Sequence, residues 1–209
     1  MAESLEKGRA GKSGLARKGM WKQAPNTVVF CVLGISVLAT APDNRRLGDM
    51  LQIGIPVAAL ACASVQGGAK AFLGRYLFLE IGIKTPKLTL GAHPLNRRPD
   101  GGLQGFPSGH TAAATFGAVH LVVHCASLHP LAKGALVLAA SFTGLSRVEA
   151  GRHTAWQVMA GTLWGWVSAL ICFGELRAKS RDLWRKVGLQ TGFMSRNSAR
   201  PDRDQRDNV

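Results

Sequence analysis

The chain has 209 residues, of which 46% are apolar, and 26 Lys and Arg stand against 12 Asp and Glu, a formal charge of +14. This length suits one domain or a small membrane bundle with tails, and it excludes a large multidomain protein. The four cysteines lie in apolar runs without CxxC spacing, so we expect small buried hydrophobic side chains rather than disulfides or metal ligands.

The basic residues are concentrated at the two ends, around a strongly apolar middle from about residue 27 to 173. Residues 1–23 hold six Lys or Arg against two acids, and residues 175–209 hold nine against five. Polybasic ends can bind nucleic acid, but basic ends that flank apolar segments favour retention on the cytoplasmic side, near anionic lipid. We therefore expect membrane lipids, and no nucleic acid, as partners.

Six apolar segments follow one another in this middle part. They cover approximately residues 28–41, 51–65, 71–90, 111–127, 131–145 and 156–173. Several are shorter than the roughly 20 residues of a spanning helix. The first is interpreted as an uncleaved anchor because the basic region before it is long, although Ala39-Thr40-Ala41 is also typical of a signal-peptidase site. The pattern predicts an all-α, polytopic membrane helix bundle with about six transmembrane helices.

The chain divides accordingly into a basic cytoplasmic segment (1–26), a transmembrane domain (27–174) and a basic tail (175–209). Apolar residues recur at near-helical spacing over 176–187, which predicts an amphipathic helix on the membrane surface, and residues from about 190 onward are expected to be disordered. Six crossings place both basic ends in the cytoplasm. The loops after the third and fifth segments then lie on the far side.

These two loops contain the groups that phosphate binding requires. The first runs from Arg97-Arg98-Pro99 through a glycine-rich turn to Pro107-Ser108-Gly109-His110, and the second contains Ser146-Arg147 and His153. Arginines can clamp phosphate oxygens, N–H groups at a helix start bind anions, and two histidines can share nucleophile and acid/base roles. Arginines on the side that the positive-inside rule disfavours support the same interpretation.

His153 and Gln157 are four residues apart, so they share one face of the last predicted helix. We expect the Gln157 carbonyl to accept from His153 Nδ1–H and to leave Nε2 for the substrate. The i, i+4 pair His120 and His124 could ligate a metal, but neither an HExxH context nor a nearby carboxylate supports this, so interior hydrogen bonding is favoured. Glu80 is expected to pair with a lysine one turn later, at position 84.

These stretches resemble the three-part pattern of the type 2 phosphatidic acid phosphatase (PAP2) superfamily, which is Lys-x6-Arg-Pro, Pro-Ser-Gly-His and Ser-Arg-x5-His-x3-Asp. The second part is complete from Pro107 to His110, the third is complete through His153, and the first retains Arg98-Pro99. The resemblance covers about residues 84–160. It implies a six-helix phosphatase without cofactor or metal, acting on a phosphorylated membrane lipid.

The resemblance also implies a role for each matching residue. His153 attacks phosphorus to form a phosphohistidine, while His110 protonates the leaving oxygen and then activates water. The groups that hold the phosphate oxygens are Arg98, Arg147 and the backbone of Ser108 and Gly109.

Two positions depart from the family's pattern. Gly91 stands where the family has its lysine, so Lys87 is assigned by a four-residue slip, with Arg97 as the alternative source of charge. Gln157 stands where the family has an aspartate, and we expect it to orient His153. The carboxylates that could replace that aspartate are Asp100 and Glu149.

Within the family, the stretches at 97–101 and 153–158 are similar to those of bacterial lipid A phosphatase-like members. This similarity implies a phosphorylated glucosamine lipid as substrate, a multi-pass protein of the inner membrane, and an active site that faces the periplasm. Two other functions stay open: a phosphotransferase that passes the phosphate to another lipid, and a catalytically weak lipid-binding protein.

Overall fold

The computed structural model describes residues 25–39, 43–125 and 128–171. Regular structure in these residues is helical throughout, which confirms the all-α prediction. The predicted tail and nearly all of the basic N-terminal segment lie outside the described residues. The α-helices are α1 (Pro25–Ala39), α2 (Asn44–Val65), α3 (Ala69–Thr89), α4 (Gly109–His124), α5 (Pro130–Glu149) and α6 (Ala155–Leu170), and a 3₁₀ helix covers Pro94–Asn96.

Successive helices run in opposite directions. Asn44 Nδ2, at the start of α2, donates to Glu149 Oε2 at the end of α5 over 3.3 Å. At the opposite end of the bundle, Arg75 Nη1 near the start of α3 donates to Ala169 O at the end of α6 over 3.2 Å. The starts of α2, α4 and α6 and the ends of α3 and α5 therefore lie together, and we call this the motif end; the other is the distal end.

Helix α4 lies at the centre of the bundle and packs against α2, α5 and α6. Its buried face is built from small residues, which lets neighbouring backbones approach closely. A Cβ atom on Gly117 would come within 2.7 Å of Pro56 N in α2. This close packing holds the N-terminal turn of α4 in place against the other helices.

Helix α2 begins at Asn44, earlier than the apolar segment predicted from residue 51. The Asp43 side chain caps it by accepting from Arg45 N at 3.0 Å and Arg46 N at 3.2 Å. The hydrophobic pattern missed these first turns because their residues are polar. As a result, Asp49 lies inside a helix, at the motif end.

Helix α5 continues to Glu149, so the prediction that Ser146 and Arg147 lie in a loop is wrong. Both side chains are buried, and Arg147 is only 3% exposed. Polar residues can extend an apolar helix when they find partners inside the bundle: Ser146 Oγ donates to Thr143 O at 2.9 Å.

The outer surface carries large apolar side chains on every one of the described α-helices. Leu38 is 84% exposed, Leu131 73% and Leu163 62%. By length and composition, α2 and α5 could each cross a membrane, and α1 is apolar but shorter. Exposed apolar surface of this extent indicates association with a membrane. The number of crossings stays a prediction.

The expectation of unpaired, buried cysteines is wrong for three of the four. Cys62 of α2 and Cys125 after α4 form a disulfide, with Cα atoms 6.5 Å apart. They are 63 positions apart in sequence, and only the packing of α2 on α4 brings them together. Cys31 is a free, exposed cysteine. Cys172 lies outside the described residues.

The side chains expected to be structural have polar partners, with one exception. Lys84 Nζ and Glu80 Oε2 are 3.3 Å apart, the expected pair. His124 Nε2 lies 3.2 Å from Arg75 Nη1. The Nδ1 atom of His120, by contrast, is buried without a hydrogen-bond partner among the described residues, so interior hydrogen bonding does not account for it.

Candidate active site

At the motif end, one backbone hydrogen bond joins the two motif stretches, and two others close each stretch on itself. Ser108 N donates to Gln157 O at 3.0 Å, His153 N donates to Arg147 O at 3.2 Å, and Gly105 N donates to Asn96 O at 2.7 Å. The structure thus brings together the residues that the sequence placed in two separate loops.

The loop that carries Arg98 is held by Asn96, which sequence reasoning missed. Asn96 is fully buried, and its Nδ2 donates to Lys87 O at 3.1 Å and to Gly91 O at 2.9 Å. Its Oδ1 accepts from Phe106 N at 3.2 Å. An asparagine beside two arginines looks like a solvated loop residue in sequence, so no local signal distinguishes it.

His153 is held as a neutral imidazole. Its Nδ1 lies 2.9 Å from Gly105 O and 3.2 Å from Gln157 Oε1. Since both neighbours can only accept, Nδ1 carries the hydrogen and Nε2 keeps its lone pair. Burial, with a smaller contribution from the charges of Arg98 and Lys87, lowers the pKa of His153 to about 4, although the two hydrogen bonds oppose the shift. At neutral pH this ring can act as a nucleophile.

Gln157 makes contacts that a carboxylate in its place could not make. Its Oε1 faces His153, as the spacing predicted, and also accepts from Thr154 N at 3.2 Å. Its Nε2 donates to Leu95 O at 3.0 Å and to Arg97 O at 2.7 Å. The amide therefore joins the histidine to the arginine loop, and an aspartate has no hydrogen with which to do so.

His110 has a different partner, which sequence reasoning also missed. Its Nε2 lies 3.0 Å from Asp49 Oδ1, and the same oxygen accepts from Arg147 Nη1 at 2.7 Å. Arg147 Nη2 also donates to Arg45 O at 2.6 Å. Asp49 is the one acidic residue of α2, and a lone acid near the start of an apolar helix is the signal that could have revealed it.

Lys87 reaches this site from the last turn of α3. It lines the same cavity as Gly109 and His110, and its Nζ lies 3.6 Å from where a Cβ of Gly109 would stand. Gly91 has φ +46°, a conformation that favours glycine, so a lysine at that position would be strained. The cation therefore comes from one helical turn earlier in this chain.

The two adjacent arginines differ in their surroundings. Arg98 Nη2 donates weakly to Gln104 O at 3.4 Å, and its Nε is buried without a partner in the described part of the chain. The charge of Arg98 acts on His153. Arg97 is exposed, and its Nε donates to Ala92 O at 3.4 Å. Of the pair, Arg98 is the one placed to meet an anion beside His153.

Ser108 is less available to an anion than its motif suggests. Its N–H is already bonded to Gln157 O, and its Oγ lies 3.0 Å from Thr111 Oγ1 in the buried interior. The N–H groups of Gly109 and His110 belong to the first turn of α4, where a helix offers no acceptor of its own. These two donors can therefore meet a phosphate oxygen.

Neither carboxylate that was expected to replace the family's aspartate contacts His153. Asp100 Oδ2 accepts from Arg152 Nη1 at 2.9 Å, and Glu149 accepts from Asn44. The Gly102 N–H and the neighbouring arginines lower the pKa of Asp100. No group of three or more His, Cys, Asp or Glu side chains lies together within the described residues.

A cavity of about 630 Å³ opens from the site between α2 and α3. Lys87, His110 and Gln104 line it where the site lies, and residues such as Leu60, Phe72 and Leu73 line it toward the distal end. Cationic and apolar lining in one continuous groove can accept a molecule with an anionic head and a hydrocarbon chain.

Comparison with known proteins gives one match. A family model described as the PAP2 superfamily matches residues 53–180, which is more than half of the chain. The matched range contains the arginine loop, both histidines and Gln157, and it begins after Asp49. No curated protein and no solved structure matches the chain.

Proposed function

Because the chain belongs to the PAP2 superfamily, whose members are phosphatases, we propose that it is an integral membrane lipid phosphatase that works through a phosphohistidine. The observation that carries this proposal is the state of His153. Two carbonyl oxygens hold its Nδ1–H, so Nε2 is an unprotonated nucleophile next to the charges of Lys87 and Arg98. Such an imidazole can attack phosphorus without a separate base.

The reaction has two steps. In the first, His153 Nε2 bonds to phosphorus, the bond to the leaving oxygen breaks, and His110 gives that oxygen a proton. In the second, His110 takes a proton from water, the water oxygen bonds to phosphorus, and the N–P bond breaks. Lys87, Arg98 and the first-turn N–H groups of α4 stabilise the charge on the phosphoryl oxygens. These groups supply the positive charge, so the reaction is proposed to be independent of metal.

The groove between α2 and α3 supports a lipid as the substrate. Its opening beside Lys87 and His110 is polar and basic and its continuation is apolar, so a phosphate held there places a hydrocarbon chain along Leu60 and Phe72. Within this class, the similarity of the stretches at 97–101 and 153–158 to lipid A phosphatase-like proteins favours a phosphorylated glucosamine lipid. The phosphate is a monoester or a diphosphate.

The arrangement of the helices supports a periplasmic site in a bacterial inner membrane. Asn26, at the start of α1, accepts from His129 N at the start of α5, and α6 ends at the same distal end. The described part of the chain therefore starts and ends at the end opposite the site. With the basic terminal segments in the cytoplasm, the motif end faces the periplasm.

Phosphate release from a panel of lipids tests the proposal. Membranes containing the protein are incubated with lipid A, phosphatidylglycerophosphate, phosphatidic acid and undecaprenyl diphosphate. We expect release from at least one lipid, complete loss in His153→Ala, and most of the activity in the control His124→Ala, which changes a histidine bonded to Arg75 at the distal end.

Two results would contradict the proposal. If His153→Ala is folded and as active as wild type, the phosphohistidine step is wrong. If labelled phosphate from a donor lipid appears on a second lipid instead of in solution, the protein is a phosphotransferase.

A further inference from the structure

Asp49 connects two groups of the site through a single oxygen atom. Its Oδ1 lies 3.0 Å from His110 Nε2 and 2.7 Å from Arg147 Nη1. The Arg147 side chain is 3% exposed, whereas those of Asp49 and His110 are 42% and 34% exposed. A buried guanidinium is costly unless it is paired, so this carboxylate is held firmly in place.

This contact distinguishes His110 from His153, which has no carboxylate partner among the described residues. His153 contacts a backbone carbonyl and an amide, and the nearby acids Asp100 and Glu149 are paired elsewhere. Of the two histidines, His110 is therefore the one with a carboxylate partner among the described residues. Asp49 also lies before the part of the chain that the family model matches.

We propose that Asp49 is the positioning residue of the acid/base histidine: it fixes the proton of His110 on Nε2 and offsets the charge of Arg147 beside it. This inference rests on the proposed phosphatase function. A hydrogen bond from Nε2–H to the carboxylate leaves Nδ1 as the nitrogen that exchanges a proton with the substrate.

The proton balance follows from this arrangement. In its acid form His110 is an imidazolium, with Nε2–H bonded to Asp49 and a second proton on Nδ1. Burial and the charge of Arg147 lower the pKa of His110, and Asp49 opposes that shift. The Nδ1 proton moves to the leaving oxygen as the P–O bond breaks and the bond from His153 to phosphorus forms. Neutral His110 then takes a proton from water at Nδ1 while that water attacks the phosphohistidine. Asp49 neither gains nor loses a proton in either step, and its carboxylate favours the imidazolium beside Arg147.

Leaving groups of different basicity separate this role from a structural one. A lipid alkoxide needs a proton as it departs, whereas 4-nitrophenolate leaves without one. We compare kcat/KM for the lipid that wild type hydrolyses fastest and for 4-nitrophenyl phosphate. Asp49→Asn keeps the shape and the hydrogen bond but removes the charge, and it should lower kcat/KM about 100-fold for the lipid and less than about tenfold for the aryl ester.

Asp100→Asn is the matched control. Asp100 is also a partly exposed carboxylate bonded to an arginine at the motif end, but within the described residues its side chain bonds to Arg152 and Gly102 rather than to a histidine. It should leave the ratio of the two kcat/KM values unchanged, and Asp49→Glu should restore part of the lipid activity. If Asp49→Asn lowers kcat/KM by the same factor for both substrates, Asp49 only supports Arg147, and the proposal is overturned.

The proton position is measured independently of activity, on the full chain in detergent. Nitrogen NMR of ¹⁵N-histidine-labelled protein, with His110→Gln for assignment, should show the neutral His110 ring protonated on Nε2. A ring protonated on Nδ1 overturns the inference even if the enzyme is active. Wild type that releases phosphate from no ester overturns the phosphatase function, and the NMR result then decides the Asp49 contact alone.

Discussion

The two histidines of the site have the same side chain but differ in burial and in the charge of their hydrogen-bond partners. His153 is 4% exposed, and uncharged oxygens surround its Nδ1. His110 is about one-third exposed and contacts a carboxylate. A nucleophile has to be neutral to attack, and an acid has to carry a proton to give away. The roles proposed for them therefore rest on their neighbours, because the two side chains are chemically identical.

The largest effects on activity are expected when either histidine is replaced. His153→Ala should lower kcat/KM at least about 10⁴-fold for every substrate, because the proposed phosphoenzyme forms on this ring. His110→Ala should still form a phosphoenzyme from 4-nitrophenyl phosphate, since that leaving group needs no proton. Rapid quenching with ³²P-labelled ester measures the amount of phosphoenzyme formed by each variant. A folded His110→Ala protein that forms none, beside a His153→Ala protein that does, would reverse the assignment.

Exchanging the amide for a carboxylate tests the surroundings of His153. Gln157→Glu removes two hydrogen bonds and places an oxygen against Leu95 O and Arg97 O. We expect kcat/KM to fall about 100-fold as the Arg98 loop shifts, and stability to fall by about 2 kcal/mol. The introduced carboxyl can donate to Arg97 O only when protonated, so the loss should be smaller at pH 4 than at pH 7.

Thermal unfolding in detergent measures this effect, with Gln66→Glu at the distal end as the control. A Gln157→Glu protein as stable and as active as wild type at pH 7 would show that the amide is not needed.

The pH dependence of stability tests the neutrality of His153. The folded protein keeps this ring unprotonated down to about pH 4, whereas the unfolded chain protonates it near 6.5. Between these values the unfolded state binds more protons, so the contribution of His153 to stability is complete above pH 6.5 and decreases as the pH falls to about 4. The drop in melting temperature between pH 7 and pH 5 should be smaller in His153→Gln than in wild type. An equal drop in both would mean that the ring is not kept neutral.

The smallest effect is expected at the rim of the site. Arg152 and Asp100 join the arginine loop to the turn before His153 over 2.9 Å, but both are partly exposed, so solvent screens the pair. Arg152→Ala should change kcat/KM for the lipid by a factor of about three or less. A loss as large as that in Asp49→Asn would show that this arginine binds the substrate.

Much of the site could be predicted because its chemistry is local in sequence. Gln157 lies one helical turn after His153, so their contact follows from the helical repeat. Lys87 lies four residues before the position of the family's lysine. The positive φ at that position, Gly91, explains why the lysine is not found there. Arg147 was placed in a loop because apolar patterning ends before it, although its partners extend the helix.

The sequence by itself determined the all-α class, the antiparallel order of the helices and the histidines and arginines that meet at one end, because helical periodicity and short motifs are encoded by neighbouring residues. Only the tertiary structure decided which charges face which ring. Asp49 and Arg147 are separated by 98 positions, and no local pattern relates them. Contacts between distant helices depend on how their surfaces pack, and in this protein that packing gives His110 its carboxylate partner.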